Sequence, residues 1–190
     1  MGLLKLSDGS IVFNKEHELH KLKSFMIHRL GISWVPEGRE IWGTLSVLEN
    51  LRMGAFIVSD RKEINRRVQE NFKLFPILQE KENQLASLLS GGEQQILAIA
   101  RCLMSKPKLI LMDEPSLGLA PMMVNRVFRI VKNIKQRGIS VLMAEQNAHK
   151  ALQIADRVYF LEMGRIVDRG LPQEIASRDI VRKVFLGDSA

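Results

Sequence analysis

The segments Leu89-Ser90-Gly91-Gly92-Glu93-Gln94-Gln95 and Leu109-Ile110-Leu111-Met112-Asp113-Glu114-Pro115 decide the fold of this chain, and Asp113 follows Gln95 by 18 residues. In the first segment, two glycines behind a serine let backbone N–H groups come close to a phosphate, and a helix beginning there adds its positive end. The second segment is a short apolar run followed by two acids, which is typical of a strand covered on both faces in a parallel sheet. Their order and spacing predict an α/β domain that handles phosphate.

The two acids are predicted to lie at the carboxyl end of that strand, where parallel sheets hold their ligands. Adjacent residues of a strand point in different directions, so Asp113 and Glu114 can take different tasks. An isolated Asp-Glu-Pro is more often a solvated turn after a core strand. The glycine segment upstream reverses that preference.

The plainer interpretation of the glycine segment is a loop that ends in a capping box, with Ser90 as N-cap and Glu93 three residues later. This interpretation is compatible with phosphate binding, because a capped helix supplies the oriented N–H groups that an anion needs.

Together, these segments resemble the ATP-binding subunits of ABC transporters. The resemblance implies that Asp113 coordinates Mg²⁺, usually through water, and that Glu114 orients or deprotonates the water that attacks the γ-phosphate of ATP. It also implies a signature segment that closes over the γ-phosphate of ATP held by a partner subunit, formed by Ser90, Gly91, Gly92 and Glu93. Catalysis is then a property of a dimer.

Two further positions resemble the subunits of branched-chain amino-acid importers. In Val-Pro-Glu-Gly-Arg, Glu37 stands where most ABC subunits have a glutamine, although taken alone it reads as a surface acid in a turn. In Glu-Gln-Asn, Gln146 stands where most have a histidine that senses the γ-phosphate. Glutamine can still donate a hydrogen bond to a phosphate oxygen, but it cannot carry a proton or positive charge. The resemblance therefore implies a nucleotide contact for Glu37 and a weaker switch role for Gln146.

The phosphate-binding loop Gly-x-x-x-x-Gly-Lys-Ser/Thr is not found, because none of the 13 glycines is followed by lysine. The resemblance begins at Met1, where the first residues are similar to the end of the phosphate-loop helix and the strand after it. We therefore expect a P-loop NTPase-like α/β fold, a mostly parallel sheet with helices that lacks the N-terminal strands and phosphate loop. A frameshift, an internal start and a genuinely short product are all compatible with this expectation.

The predicted organisation is one partial nucleotide-binding domain over residues 1–190 with a helical insert at about 45–92, which in this family contacts membrane-spanning subunits. Ser46 and Asp60 are expected to cap two of its helices. Apolar spacing predicts a helix from Glu16 to Leu30 and a strand over 32–35. Two short helices are expected at about 172–177 and 178–185.

The composition, 190 residues with 46% hydrophobic, allows one domain with its own core. No apolar run approaches the ~18 residues that indicate a membrane span. Cys102 is the single cysteine and is expected to be buried and reduced. The net charge of +7 comes from Lys and Arg residues dispersed along the chain, so nucleic acid is not expected as a partner.

Three functions stay open on the sequence alone. The first is an ATP-hydrolysing subunit of an importer for branched-chain or related amino acids, using ATP and Mg²⁺. It would be peripheral to the cytoplasmic face of the plasma membrane, bound to permease subunits and a second ATP-binding subunit. The second is a non-catalytic chain that lends its signature segment to a complete partner, or has no activity. The third is a fragment of a DNA-repair or chromosome ATPase, although those proteins carry long heptad coils that this chain lacks.

Overall fold

The computed structural model of the chain describes residues 1–176. Its helices are α1 (Ser24–Arg29), α2 (Val47–Gly54), α3 (Arg61–Leu74), α4 (Pro76–Glu80), α5 (Gly91–Leu103), α6 (Pro121–Gln136), α7 (Ala148–Leu152) and α8 (Pro172–Ala176). Its strands are β1 (Val12–Phe13), β2 (His17–Glu18), β3 (Ile32–Val35), β4 (Leu109–Asp113), β5 (Ser140–Ala144), β6 (Val158–Glu162) and β7 (Arg165–Gly170). Within these residues, no helix combines the length and the apolar character that crossing a bilayer requires.

The central element is a parallel sheet in the order β3, β4, β5. Val35 lies opposite Met112, and Asp113 lies opposite Ala144, so the carboxyl ends of the three strands share one edge. The strand predicted over 32–35 and the predicted parallel α/β architecture are confirmed. Two antiparallel pairs, β1 with β2 and β6 with β7, stand apart from this sheet.

The main core lies on one face of the sheet, between the strands and helices α5 and α6. Ile110 and Met112 of β4 are buried in the same cluster as Leu97 of α5 and Val131 of α6. The residues of α5 from 96 to 100 are all buried, as expected for a helix that is apolar all round. Cys102, on the same helix, is also buried, and burial raises the pKa of its thiol to about 12. The prediction of a buried cysteine is confirmed, and its reduced state stays a prediction.

The helical insert begins as predicted. Ser46 caps α2 through a complete capping box with Glu49, and the side chain of Asp60 caps α3 by accepting the N–H of Lys62. The buried side chains of Leu51 and Phe72 belong to the same cluster as the sheet residues. The insert therefore shares the core of the sheet, and its definition as a subdomain at about 45–92 stays a prediction.

The helix predicted from Glu16 to Leu30 is wrong over its first half. Residues 17–18 form β2, a single 3-10 turn follows, and only α1 is helical. The N–H of Leu19 donates to the carbonyl of Ile11 at 2.8 Å, and the ring of His20 accepts the N–H of Ile11 at 3.3 Å. Because these hydrogen bonds join residues 19 and 20 to Ile11, the segment is held beside β1 and does not continue as a helix. Of the two C-terminal helices, the first is confirmed as α8, and the one predicted at 178–185 lies outside the described residues.

An ion-pair network joins α3 to the end of α5 and gives a pH-dependent contribution to stability. Hydrogen bonds from Arg67, Arg66 and Lys106 lower the pKa of Glu63 to about 2. Since the folded-state pKa lies below the ordinary value of 4.5, this stabilisation is present above pH 4.5 and is lost as the pH falls toward 2.

We expect Glu63→Gln to lower the free energy of unfolding at pH 7, and to make its decline between about pH 4.5 and about pH 2 shallower. Urea titrations monitored by circular dichroism across that range measure both effects. Glu82→Gln is the matched control, because no side-chain ion pair of Glu82 is found within residues 1–176. Identical pH profiles for the two variants would contradict the assignment.

Candidate functional site

The carboxyl end of β4 carries the two predicted acids. Asp113 is the last residue of the strand and is exposed, whereas Glu114 is half-buried. Glu114 has φ +41°, a conformation that side-chain-bearing residues rarely adopt, and its N–H donates to the carbonyl of Ala144 at 2.9 Å. The chain thus turns sharply out of the strand between the two carboxylates while remaining bonded to β5.

The structure brings Gln146 to Glu114, because both follow the carboxyl ends of the neighbouring parallel strands β4 and β5. The side-chain amide of Gln146 donates from Nε2 to Oε1 of Glu114 at 2.7 Å. Asp113, Glu114 and Gln146 are called the acid edge below. One oxygen of the Glu114 carboxylate is thereby held by a neutral donor, and the other remains able to accept a hydrogen bond from a water molecule.

Glu145 is a structural member of the site that the sequence analysis missed. Its carboxylate accepts hydrogen bonds from the Ser116 hydroxyl at 2.7 Å, from the Ser116 N–H at 3.3 Å and from the Asn147 N–H at 3.1 Å. Glu145 therefore fastens the turn after β4 to the turn after β5, which fixes Glu114 relative to Gln146. The signal was available, because Glu145 follows an apolar strand just as the other acids do.

The predicted capping box at the start of α5 is confirmed. The Ser90 N–H donates to Glu93 Oε2 at 2.9 Å, and the Glu93 N–H donates back to the Ser90 hydroxyl at 3.4 Å. The Lys81 ammonium lies 2.6 Å from Glu93 Oε1, and its hydrogen bond lowers the pKa of Glu93. Glu93 is thus occupied in building the helix terminus, and Ser90 remains exposed at its tip.

The two signature glycines allow two close approaches. A Cβ on Gly92 would lie 2.5 Å from Cε and 2.7 Å from Cγ of Met123, at the start of α6, and Gly92 is buried. A Cβ on Gly91 would lie 3.1 Å from both terminal nitrogens of Arg39. The glycines therefore also let α6 and a guanidinium pack against the N-terminus of α5.

Arg39 belongs to the loop that follows β3 and contains the predicted nucleotide contact Glu37. Glu37 is exposed two residues beyond Val35, on the same edge of the sheet as the acid edge. Arg39 donates to Gln94 on α5 at 3.2 Å, and Arg101 donates to the carbonyl of Glu40 at 2.7 Å. The loop after β3 is thus fastened to the signature helix.

The structure does not join the acid edge to the signature segment. The hydrogen bonds of Glu114 and Gln146 run within the ends of β4 and β5, and those of Ser90 and Glu93 run within the start of α5 and to Lys81. Within residues 1–176, the acid edge and the signature segment are therefore two separate elements.

The acid edge fits a magnesium ion in the manner of a nucleotide site. Mg²⁺ in such sites is held by one or two carboxylates together with phosphates and water, and Asp113 and Glu114 supply carboxylates at a strand end. Within residues 1–176, no group of three or more His, Cys, Asp and Glu side chains is placed to hold a metal ion by itself. Asp113 would hold the ion, and the ion would neutralise charge on the phosphates.

Comparison with known families shows the family to which the chain belongs. The family described as ABC transporter matches residues 1–117. The chain belongs to the ABC transporter family. This ABC chain contains the signature segment and the strand-end acids within the matched residues, and Gln146 beyond them.

Curated relatives match almost the whole of this ABC chain. It is 45% identical over 186 residues to the high-affinity branched-chain amino acid transport ATP-binding protein BraG of Pseudomonas aeruginosa, covering 98% of this chain and 79% of BraG. It is 32% identical over 187 residues to the probable branched-chain amino acid transport ATP-binding protein LivF of Archaeoglobus fulgidus, covering 98% and 78%. It is also 32% identical over 190 residues to the lipopolysaccharide export system ATP-binding protein LptB of Haemophilus influenzae, covering 99% and 78%.

Solved structures of ATP-binding cassettes share the fold. The structure of cbiO1 from Clostridium perfringens, part of the ABC transporter complex cbiONQ, matches with a TM-score of 0.81 and 28% identity, over 97% of this chain and 75% of that one. The ADP conformation of MJ1267, an ATP-binding cassette of an ABC transporter, matches with a TM-score of 0.83 and 25% identity, over 98% and 80%. The predicted P-loop NTPase-like fold is confirmed.

Proposed function

We propose that this chain is the ATP-binding subunit of an ABC importer for branched-chain or related amino acids and works as one half of a dimer. The observation that carries the proposal is the acid edge, where Gln146 holds one oxygen of Glu114 at 2.7 Å beside the exposed carboxylate of Asp113. The partners are permease subunits and a second ATP-binding subunit. The place of action is the cytoplasmic face of the plasma membrane, with the subunit bound peripherally.

At the acid edge, each residue has a separate role. Asp113 would hold Mg²⁺, and Glu114 would orient the attacking water with the oxygen that Gln146 leaves free. Gln146 positions that carboxylate and can turn its amide to a phosphate oxygen. Glu37 contacts the nucleotide from the loop after β3, at the same edge of the sheet. Bound Mg²⁺ supplies charge neutralisation for the phosphates.

The signature segment serves the other nucleotide of the dimer. Gly91 and Gly92, directly after the N-cap Ser90, present their backbone N–H groups at the N-terminus of α5, where the helix dipole favours an anion. The exposed Ser90 hydroxyl adds a further donor for the γ-phosphate of ATP held by the partner subunit. Glu93 stabilises this terminus through the capping box and its ion pair with Lys81.

The substrate class is supported by the names of two relatives, BraG and LivF, and by the residues at positions 37 and 146. LptB, with 32% identity, is instead named for lipopolysaccharide export. A tagged copy of the chain expressed in Pseudomonas aeruginosa tests the class by co-purification from detergent-solubilised membranes. We expect the branched-chain amino-acid permease subunits to be recovered. Recovery of lipopolysaccharide-export membrane subunits in their place would contradict the proposed substrate class.

A second candidate function is a non-catalytic partner that contributes only its signature segment. The observation that favours it is that no glycine of the chain is followed by lysine, so no lysine of a phosphate loop is available to the β- and γ-phosphates.

On this second candidate function, we expect the isolated chain neither to bind ATP tightly nor to hydrolyse it, because none of its glycines is followed by the lysine that holds the phosphates in a phosphate loop. Isothermal titration calorimetry with Mg²⁺–ATP measures the binding, and Glu114→Gln serves as the matched variant. Saturable binding at micromolar ATP by the isolated chain would show the expectation to be wrong.

A further inference from the structure

Helix α6 has an outer face that is rich in cations and has no acid. Its inner face is apolar, and Val127, Val131 and Ile134 are buried in the main core. No residue from 121 to 137 is acidic. The exposed cations of the helix and its C-cap are Arg126, Arg129, Lys132 and Arg137. These four residues are called the basic face below.

The basic face is not neutralised by the part of the chain that the structure describes. None of its cations forms an ion pair with an acid of residues 1–176. Lys135, on the flank of the same helix, differs from them, because its ammonium lies 2.8 Å from Asp156 Oδ1 and donates to the carbonyl of Ile154 at 2.6 Å. The nearby carboxylate of Asp156 is therefore already paired, and the positive charge of the basic face stays uncompensated.

The charges of the basic face do not stabilise α6. Arg126, Arg129 and Lys132 follow one another at intervals of three residues, a spacing at which side chains are neighbours and like charges repel. Helix α3 shows the opposite arrangement, since Arg66 lies 2.6 Å from Glu63 and 2.9 Å from Glu70. The repulsion along α6 is offset by no ion pair within residues 1–176, which indicates that the basic face serves a partner outside the fold.

The basic face extends along the side of the sheet. Helix α6 begins beyond the turn that leaves the carboxyl end of β4, and Arg137 precedes the first residue of β5, Ser140, by three residues. The helix therefore runs from the edge that carries Asp113 toward the opposite edge. From Arg126 to Arg137 it rises about 16 Å. A row of cations of this length suits an extended anionic surface better than a single phosphate.

The chemistry of the basic face favours a lipid bilayer as that surface. The centre of a protein interface is apolar and rich in aromatic side chains or methionine, whereas the large apolar side chain that α6 exposes is Met122, at its N-terminal end. Single-stranded nucleic acid requires exposed aromatic rings for stacking, and α6 exposes none. A second copy of the chain would bring a face of the same charge. Anionic headgroups require only that several Lys or Arg side chains reach them.

We propose that the basic face of α6, formed by Arg126, Arg129, Lys132 and Arg137, binds the anionic headgroups of a phospholipid bilayer. This proposal rests on the proposed function for bringing the chain to a membrane, whereas the binding itself requires neither ATP nor a permease. The chain then contacts the membrane directly, in addition to its contact with permease subunits.

Co-sedimentation of the full 190-residue chain with vesicles tests the proposal without nucleotide. The vesicles are an equal mixture of phosphatidylcholine and phosphatidylglycerol, compared with phosphatidylcholine alone. We expect saturable binding to the anionic vesicles, at least about tenfold tighter than to the neutral ones, and weaker when NaCl is raised from about 0.1 M to about 0.5 M. The combined variant Arg126→Gln, Arg129→Gln and Lys132→Gln should bind about 100-fold more weakly, because each cation near an anionic surface contributes about fivefold.

The matched control is the combined variant Arg61→Gln, Lys62→Gln and Lys73→Gln. It removes the same charge from exposed positions of α3, and it should weaken vesicle binding by less than about threefold. Urea denaturation separates lost binding from lost folding. The α6 variant should unfold at the same urea concentration as the original chain or a higher one, since it removes repulsion between like charges.

Four results would each overturn the proposal. The first is no preference of the chain for anionic vesicles over neutral ones. The second is equal binding by the α6 variant and the original chain, and the third is an equal loss of binding in the α3 variant, which would assign the effect to net charge alone. The fourth is tighter binding, dependent on the same α6 cations, to duplex DNA or to polyglutamate, since the occupant would then be a nucleic acid or an acidic protein.

The two hypotheses fail separately. Vesicle binding through α6 without ATP-dependent pairing with BraG would contradict the proposed function and leave the lipid contact intact. Pairing with BraG without vesicle binding would do the reverse.

Discussion

Replacing Gly54 by alanine is expected to lower the free energy of unfolding by about 3 kcal/mol or more, the upper end of the usual cost of overpacking. A Cβ at position 54 would lie 2.2 Å from the carbonyl oxygen of Arg101 and 3.0 Å from its carbonyl carbon. Both are backbone atoms of α5, so no side chain can move aside to make room. Helix α2 would have to separate from α5, and the insert would lose part of the core that it shares with the sheet.

Urea denaturation with linear extrapolation measures the change in the free energy of unfolding. Met53→Ala is the matched control, because Met53 precedes Gly54 in the same helix and is 46% exposed, so its truncation should change the unfolding free energy little. A Gly54→Ala protein as stable as the original would show that α2 and α5 do not approach as closely as described.

Replacing Gly91 by aspartate is expected to weaken ATP-dependent association with a complete homologous subunit by about 100-fold, equivalent to about 2.7 kcal/mol. The new carboxylate would lie at the N-terminus of α5, where it repels the γ-phosphate. It would also accept hydrogen bonds from the N–H groups that otherwise bind that phosphate. The chain should stay folded, because the nearest atoms to a Cβ at this position are the terminal nitrogens of Arg39, which can pair with the carboxylate.

Sedimentation velocity of the variant mixed with BraG and ATP measures the association. Gly9→Asp brings the same charge at an exposed glycine with φ +83° and no atom within 4 Å of a Cβ, and its association should be unchanged. If Gly91→Asp and Gly9→Asp associated equally well, the signature segment would not contact the partner's nucleotide.

The features that could be predicted from the sequence are those set by short stretches of chain. The caps at Ser46, Asp60 and Ser90 follow from a polar side chain three or fewer residues from the N–H that it accepts. The meeting of Glu114 with Gln146 was also predictable, since both follow apolar strands whose carboxyl ends share an edge. Each inference needed only a local pattern and one rule about parallel sheets.

The features that could not be predicted depend on contacts between distant parts of the chain. Arg101 binds the carbonyl of Glu40 across 61 residues, and Arg39 reaches Gln94 across 55. Neither contact leaves a periodic signal, because one side chain and one turn suffice to make it. The error in the first half of the helix predicted from Glu16 has the same cause. The hydrogen bonds of that segment run back to Ile11, and the spacing of apolar residues does not reveal them.

The central claim is that this chain binds nucleotide as one half of a dimer, with its signature segment in contact with ATP that another subunit holds. Sedimentation velocity of the unsubstituted chain mixed with BraG, with and without ATP and Mg²⁺, tests it most directly. We predict a one-to-one heterodimer that forms only when ATP is present. No heterodimer under either condition, or one that forms equally well without ATP, would contradict the claim.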